Sequence, residues 1–183
     1  MILTGSDIDR EVLAGRIHID DYDRERLEPN SYGFRLAADL LWYEDEIVDC
    51  FEAPVAHREA IGTEGVVLLP DRLYLGATME AMGSSHYAAT LYASRSVSTL
   101  GIWIQYSAPL GHSGAVFPWT LEIKVAAPVR VYPGMIVGKL AFWSMQGEAV
   151  NYAGKYTGSR TTVVSRLSTE RATRPELQTA GAP

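Results

Sequence analysis

Apolar and polar residues alternate along most of this chain. In PWTLEIKV (residues 118–125), Trp119, Leu121, Ile123 and Val125 fall on one face of a strand, and Thr120, Glu122 and Lys124 on the other. A strand pattern also runs through HYAATLYAS, GIWIQYSA and VRVYPGMIVGKLAFWSM, with Gly and Pro turns between (Pro109 to Gly114, Tyr132-Pro133-Gly134). Upstream, RIHID reads as a strand and EPNSYGFRLAADLLWY as a turn followed by a strand. GVVLLPDRLYLGATME reads as two short strands about a Pro-Asp turn. One helix is expected, at the N-terminus. Ser6 suits its N-cap with Asp9 three residues on, Ile8, Val12 and Leu13 form its apolar stripe, and Gly15 can end it in the left-handed conformation. One short helix followed by many short strands indicates a mainly β barrel or sandwich over residues 1–170. The stretch 171–183, ending LQTAGAP, has few apolar residues to bury and is expected to be a disordered tail.

Composition narrows the class. At 183 residues, 47% hydrophobic and 21% charged, the chain suits one soluble domain that needs no metal or disulfide staple. Its one cysteine, Cys50, allows neither an internal disulfide nor a cysteine-based zinc site, so a cytoplasmic protein is expected. No apolar run approaches the roughly 18 residues of a membrane span, and MILTGSDIDR does not read as a signal peptide. The net charge of −6 is unevenly spread: residues 1–84 hold 18 acids and 7 Lys/Arg, residues 85–183 hold 4 acids and 9 Lys/Arg. Such a basic half either favours an anionic ligand of nucleotide size or neutralises the acidic half of a neighbouring subunit. No dense basic run points to nucleic acid.

The segment from Leu91 to Glu122 concentrates the chemistry. It opens with hydroxyls around an arginine (Ser94, Arg95, Ser96, Ser98, Thr99), donors and a fixed charge that suit a phosphate. It ends on Glu122, the only carboxylate between residues 81 and 147. A carboxylate set in an apolar strand suits proton transfer, because burial favours a carboxyl's protonated form. The bland alternatives are a serine-rich turn and a solvated Glu122 paired with Lys124. Zinc nucleobase deaminases need H-x-E and P-C-x-x-C ligands. One Cys and four scattered His (His18, His57, His86, His112) exclude that class, and no P-loop, G-x-S-x-G elbow or dinucleotide fingerprint is present. His112 stands out by preceding the Glu122 strand. NYAGKYTGSR brings Tyr152, Lys155, Tyr156 and Arg160 into a glycine-containing segment that could close over a nucleotide or be an ordinary mobile loop.

In order, LTGSDIDREVLAGRIHI, EPNSYGFRL, LPDRLYLGATME, RSVSTLGI, SAP, TLEI, VYPGMIVGKLAF and KYTGS followed by SR resemble the dCTP deaminase branch of the dUTPase-like superfamily. The resemblance covers the chain up to about Arg166, and VYPGMIVGKL with TLEI is its most specific pair. It implies a distorted β-barrel or sandwich, a homotrimer with shared active sites, and metal-free deamination of a cytosine nucleotide. No cofactor would be tightly bound, and Mg²⁺ would attend only the phosphates. Glu122 maps to the proton shuttle and Arg95, Ser96 and Ser98 to the phosphate and water motif. Ala108 and Thr120 map to the base pocket, and Tyr152, Lys155 and Tyr156 to a C-terminal lid.

Several positions depart from the family pattern. Thr99 stands where an arginine assists the water, Ser94 where another grips phosphate, and Arg95 replaces a serine. Gln105 stands for a histidine, His112 for an aspartate, Gly33 for the aspartate of S-x-D-x-R-L, and Ser159 for a glutamine of the lid. Two other readings therefore stand beside the deaminase. One is a nucleotide-binding or regulatory trimer without catalysis. The other is a dUTPase-type pyrophosphatase, disfavoured because no aspartate follows Asp71.

Overall fold

Residues 1–170 are described in the computed structural model of the chain. The expected tail, 171–183, lies outside the described residues. Helix α1 (Gly5–Leu13) opens the fold, but its cap is Thr4 rather than Ser6: the Thr4 hydroxyl accepts the Asp7 amide at 3.2 Å. Ile8 is fully buried and Val12 packs at the core's edge, whereas Leu13 points outward at 67% exposure. The remaining inward position belongs to Glu11, which accepts from Arg16 Nη2 at 2.6 Å and from the Tyr87 hydroxyl at 2.8 Å. The Arg16 guanidinium, against the opposing effect of burial and with help from Tyr87, holds the Glu11 carboxyl down to about 2. Gly15, at φ 70°, turns the chain away from the helix.

The strands follow as β1 (His18–Ile19), β2 (Leu27–Glu28), β3 (Ser31–Arg35), β4 (Asp39–Tyr43), β5 (Ala56–Ala60), β6 (Val66–Leu68), β7 (Tyr74–Gly83) and β8 (Tyr87–Ala93). A second helix, α2 (Arg95–Thr99), precedes β9 (Ile102–Trp103), β10 (Leu110–Gly111), β11 (Phe117–Val125), β12 (Val129–Val131) and β13 (Ile136–Ser144). One sheet has the order β5-β4-β7-β11-β9, with β1 also paired to β7. A second runs β10-β8-β13-β3-β2, and β6 and β12 form a separate ribbon. Leu40, Leu121 and Ile123 from the first sheet join Tyr32, Phe34, Leu140 and Phe142 from the second in one apolar cluster, each no more than 2% exposed. The mainly β architecture is the one expected.

Local expectations differ in instructive places. SYGFR and DLLWY form two strands, β3 and β4, in different sheets, rather than one. β6 and β7 flank the Pro-Asp turn but pair with other strands, so no hairpin forms there. The hydroxyl-rich RSVST is a short helix in which only Val97 is buried, and Ser98 and Thr99 bond back to the carbonyls of Ser94 and Ser96 at 3.1 Å. β5 (AHREA) has no apolar alternation to announce it and is an edge strand beside β4.

β7 is the hub of the first sheet and is buried along both faces except at Met79 and, in part, Ala81. Glu80, 1% exposed, accepts the Arg35 amide at 3.0 Å and Arg35 Nε at 2.7 Å, and also takes Arg26 Nη1. Between Pro118 and Thr120 the β7–β11 register shifts, so Trp119 alone faces Thr78, Met79 and Glu80. Beyond β13 the chain crosses back over the first sheet. The Val163 amide donates to Thr120 Oγ1 at 3.3 Å, the Ser165 amide to the Tyr43 hydroxyl at 3.1 Å, and Arg58 Nη2 to the Thr162 carbonyl at 3.2 Å.

Candidate active site

The alternation in β11 sorts its side chains into two rows. Trp119, Leu121, Ile123 and Val125 are 0–8% exposed in the core. Thr120, Glu122 and Lys124, half-buried, line a cavity of about 850 Å³ between the first sheet, the 106–112 loop and the returning C-terminal segment. Most of its wall is apolar or aromatic, including Tyr43, Leu73, Leu75, Tyr106, Phe117 and Val163. Glu122 is the one carboxylate among the described lining residues.

Glu122 is held by backbone rather than by a cation. Its Oε2 accepts the amides of Tyr106 at 2.9 Å and Ser107 at 3.3 Å, and Oε1 carries no hydrogen bond among the described residues. Its own amide donates to the Ile104 carbonyl at 3.1 Å, tying β11 to the chain just after β9. Nor does Lys124 form an ion pair with it among the described residues, so the solvated Glu–Lys pair is not what β11 presents. One oxygen fixed and the other unbonded is an arrangement that can accept a proton from a bound molecule.

The opposite wall is built from turns. A Cβ at Gly111 would fall 1.8 Å from Cη2 of Trp119, so only glycine lets the 106–112 loop lie against that indole. Trp119 is fixed by its Nε1–H, which donates to the Met82 carbonyl at 3.0 Å. His112 lies on the Tyr152 ring at 5.8 Å and 10° between planes, and Phe117 meets the same ring edge-on at 6.3 Å. The Tyr152 amide donates to the Ser113 carbonyl at 2.7 Å, and its hydroxyl accepts the Tyr156 amide at 3.2 Å.

Of the residues expected from the sequence, Glu122, Ala108, Thr120, His112, Tyr152, Tyr156 and Ser159 meet at this cavity. Arg95, Ser96, Ser98 and Thr99 do not: they stand exposed on α2, outside the cavity wall. Gln105 and Arg160 are also outside the lining. Lys155 turns to Glu170, an ion pair that raises the lysine's pKa, and lies 5.4 Å above the Tyr156 ring. Tyr43, Leu75 and Tyr106 were not foreseen. Only the pairing of β4, β7 and β11 brings the first two beside Glu122, and no local spacing announces that. Among the described residues, no three His, Cys, Asp or Glu side chains cluster to hold a metal ion.

Comparison with known proteins places this geometry. The family model described as dCTP deaminase-like matches residues 2–145. A protein of Cytophaga hutchinsonii named dCTP deaminase, dUMP-forming, is 38% identical over 157 residues, covering 85% of this chain and 90% of the relative. One of Rhodopirellula baltica named dCTP deaminase is 36% identical over 160 residues, covering 87% and 80%. A third, from Clostridium acetobutylicum and again named dUMP-forming, is 33% identical over 161 residues, covering 87% and 92%. The crystal structure of 2'-deoxycytidine 5'-triphosphate deaminase from Agrobacterium tumefaciens shares the fold, with a TM-score of 0.62 at 18% identity. That match spans 77% of this chain and about half, 47%, of the other. Matched by the family model over most of its length and to these relatives over 80–92% of theirs, the chain belongs to the dCTP deaminase-like family.

Proposed function

We propose that this chain hydrolytically deaminates a cytosine deoxynucleotide, dCTP or one like it, to the uracil nucleotide and ammonia, without a protein-bound metal. Glu122, with one carboxylate oxygen held by two amides and the other unbonded at the cavity, is the observation that carries this reading. Glu122 takes a proton from a water that attacks C4 of the base. It passes that proton to N3, then takes the proton of the new C4 hydroxyl and hands it to the amine, which leaves as ammonia as the C4=O bond forms and the C4–N4 bond breaks. Backbone groups around Ala108 and Thr120 read the base edge. Tyr152 and Tyr156 cover the nucleotide, and Mg²⁺ arrives with the phosphates rather than on protein ligands.

The phosphate motif is supplied by a neighbouring copy in a homotrimer. Three features support this: Arg95, Ser96 and Ser98 lie outside their own chain's cavity, Tyr92, Leu100 and Trp103 leave 43–67% of their surface exposed near α2, and the two halves of the chain carry opposite charge. A cytoplasmic location agrees with the single, exposed Cys50.

A second step is favoured by the relatives' names. To form dUMP from dCTP, those proteins must also release two phosphates. A panel of cytosine and uracil nucleotides, with ammonia and pyrophosphate read separately, distinguishes the cases. Ammonia from dCTP is expected. Pyrophosphate in equal amount adds the second step, and tight binding with neither product identifies a non-catalytic nucleotide-binding trimer.

A further inference from the structure

β11 is paired out of step with itself. At one end Phe117 faces Met82 and Pro118 faces Ala81; at the other Thr120 faces Ala77 and Glu122 faces Leu75. The two sets differ by two residues of β7, about 6.7 Å of strand. On its far edge β11 is locked to β9, where Lys124 faces Trp103 and Val125 faces Ile102. Tyr106 and Ser107, whose amides hold Glu122, follow soon after β9. The bulge ends at Thr120, two residues before Glu122 on the same strand, and so sets the β7 residue, Leu75, that Glu122 faces.

Inside the bulge the ladder is interrupted, and one side chain bridges it. Thr78 Oγ1 accepts the Trp119 amide at 2.9 Å and donates to the Glu80 carbonyl at 2.7 Å. A hydroxyl suits this, being acceptor and donor at one atom. Thr78 is 1% exposed, so water is poorly placed to stand in for it. From these contacts we infer that the Thr78 hydroxyl is a positioning group for Glu122, acting through the β-bulge that it closes. The inference rests on the proposal that Glu122 carries the proton; Thr78 itself touches no substrate.

The test compares Thr78→Val, which keeps shape and strand preference but removes the hydroxyl, with Thr78→Ser, which restores it. Thr78→Val is expected to lower kcat for dCTP deamination about 10- to 100-fold, the size expected for an ångström-scale misplacement. KM should stay within about twofold, because the phosphate contacts lie elsewhere. Hydrogen exchange at the Tyr106 and Ser107 amides should quicken in the same variant, and Thr78→Ser should recover both turnover and protection. Unchanged kcat and exchange in Thr78→Val would overturn the inference. So would a Thr78→Ser enzyme as impaired as Thr78→Val, which would assign the effect to the lost methyl. If wild type releases no ammonia, or Glu122→Gln releases it as fast as wild type, the deaminase reading fails separately. The exchange rates of Tyr106 and Ser107 then still decide whether Thr78 positions Glu122.

Discussion

Glu80 and Glu122 stand on adjacent strands, β7 and β11, and their surroundings are opposite. Glu80 is sealed in the interior, its carboxylate occupied by the Arg35 backbone amide and by the guanidinium groups of Arg35 and Arg26. Glu122 is half-buried at a cavity wall, held at one oxygen by two neutral amides. Arg26 and Arg35 occupy both oxygens of Glu80. Amides fix one oxygen of Glu122 and leave Oε1 without a hydrogen bond among the described residues. A carboxylate used for structure is neutralised on all sides, and one available for chemistry is aimed and left partly open.

Breaking the open site should give the largest effect. Glu122→Gln keeps the shape and can still accept the two amides, but it cannot take up a proton. Deamination is expected to fall by about 10²–10⁴-fold, the usual range for general acid–base catalysis. Nucleotide affinity, measured by calorimetry, should change little. Full turnover in this variant would make Glu122 an ordinary surface acid and leave the fold untouched.

The converse change, Glu80→Gln, should spare the chemistry and damage the fold. It removes from Arg26, whose side chain is 8% exposed, its one ion-pair partner among the described residues. Breaking a buried pair from one side costs about 3–5 kcal/mol, which for a chain of this size lowers Tm by about 10 °C. A melting temperature equal to wild type would show that the two arginines find other partners.

Glu11 offers a milder, pH-dependent version of the same contrast. Its pairing with Arg16 lowers its pKa from an ordinary 4.5 to about 2. That stabilisation is fully present above the ordinary value and is lost as the pH falls through the lowered one. Wild type should therefore exceed Glu11→Gln in Tm at pH 6, and the gap should close between about pH 4.5 and pH 2. A gap that stays constant over that window would mean Glu11 acts by shape alone.

The two carboxylates also show what could be read from the chain. The row Thr120, Glu122, Lys124 was legible because strand periodicity is local, and every neighbour that sets it lies within PWTLEIKV. The absence of other acids around Glu122 was equally visible. Glu11 sits among other acids and looks like a surface residue until Arg16 folds onto it, and Glu80 lies in the run ATMEAM with its partners Arg26 and Arg35 54 and 45 residues away in sequence. The bulge at Thr78 is invisible for the same reason, since it exists only as a shift of register within the pairing of β11 with β7. The hydroxyls of RSVST were read as a ligand motif, and within one chain two of them are spent on helix carbonyls. β4 and β5, which bring Tyr43 and Arg58 under the C-terminal segment, lie more than 100 residues from it in sequence.

Lys155 tests the contrast from the cation's side, with the smallest expected effect. It sits on the returning segment beside Tyr156 and is ion-paired to Glu170, both partners being substantially solvent-exposed. Exposed pairs contribute little, about 0–1 kcal/mol, so Glu170 is a partner that a nucleotide phosphate can displace. The pair raises the lysine's pKa, and that raised value preserves the charge throughout the neutral range. Lys155→Ala should leave the melting temperature within about 2 °C of wild type, because only an exposed pair is lost. KM for the nucleotide should rise about tenfold, the lower end of what a charge-assisted phosphate contact provides. Turnover at saturation should hold within about twofold, since a phosphate contact acts on ground and transition states alike. Lost turnover at unchanged KM would move Lys155 to the reacting centre, and Glu122 would then share the proton chemistry with a cation.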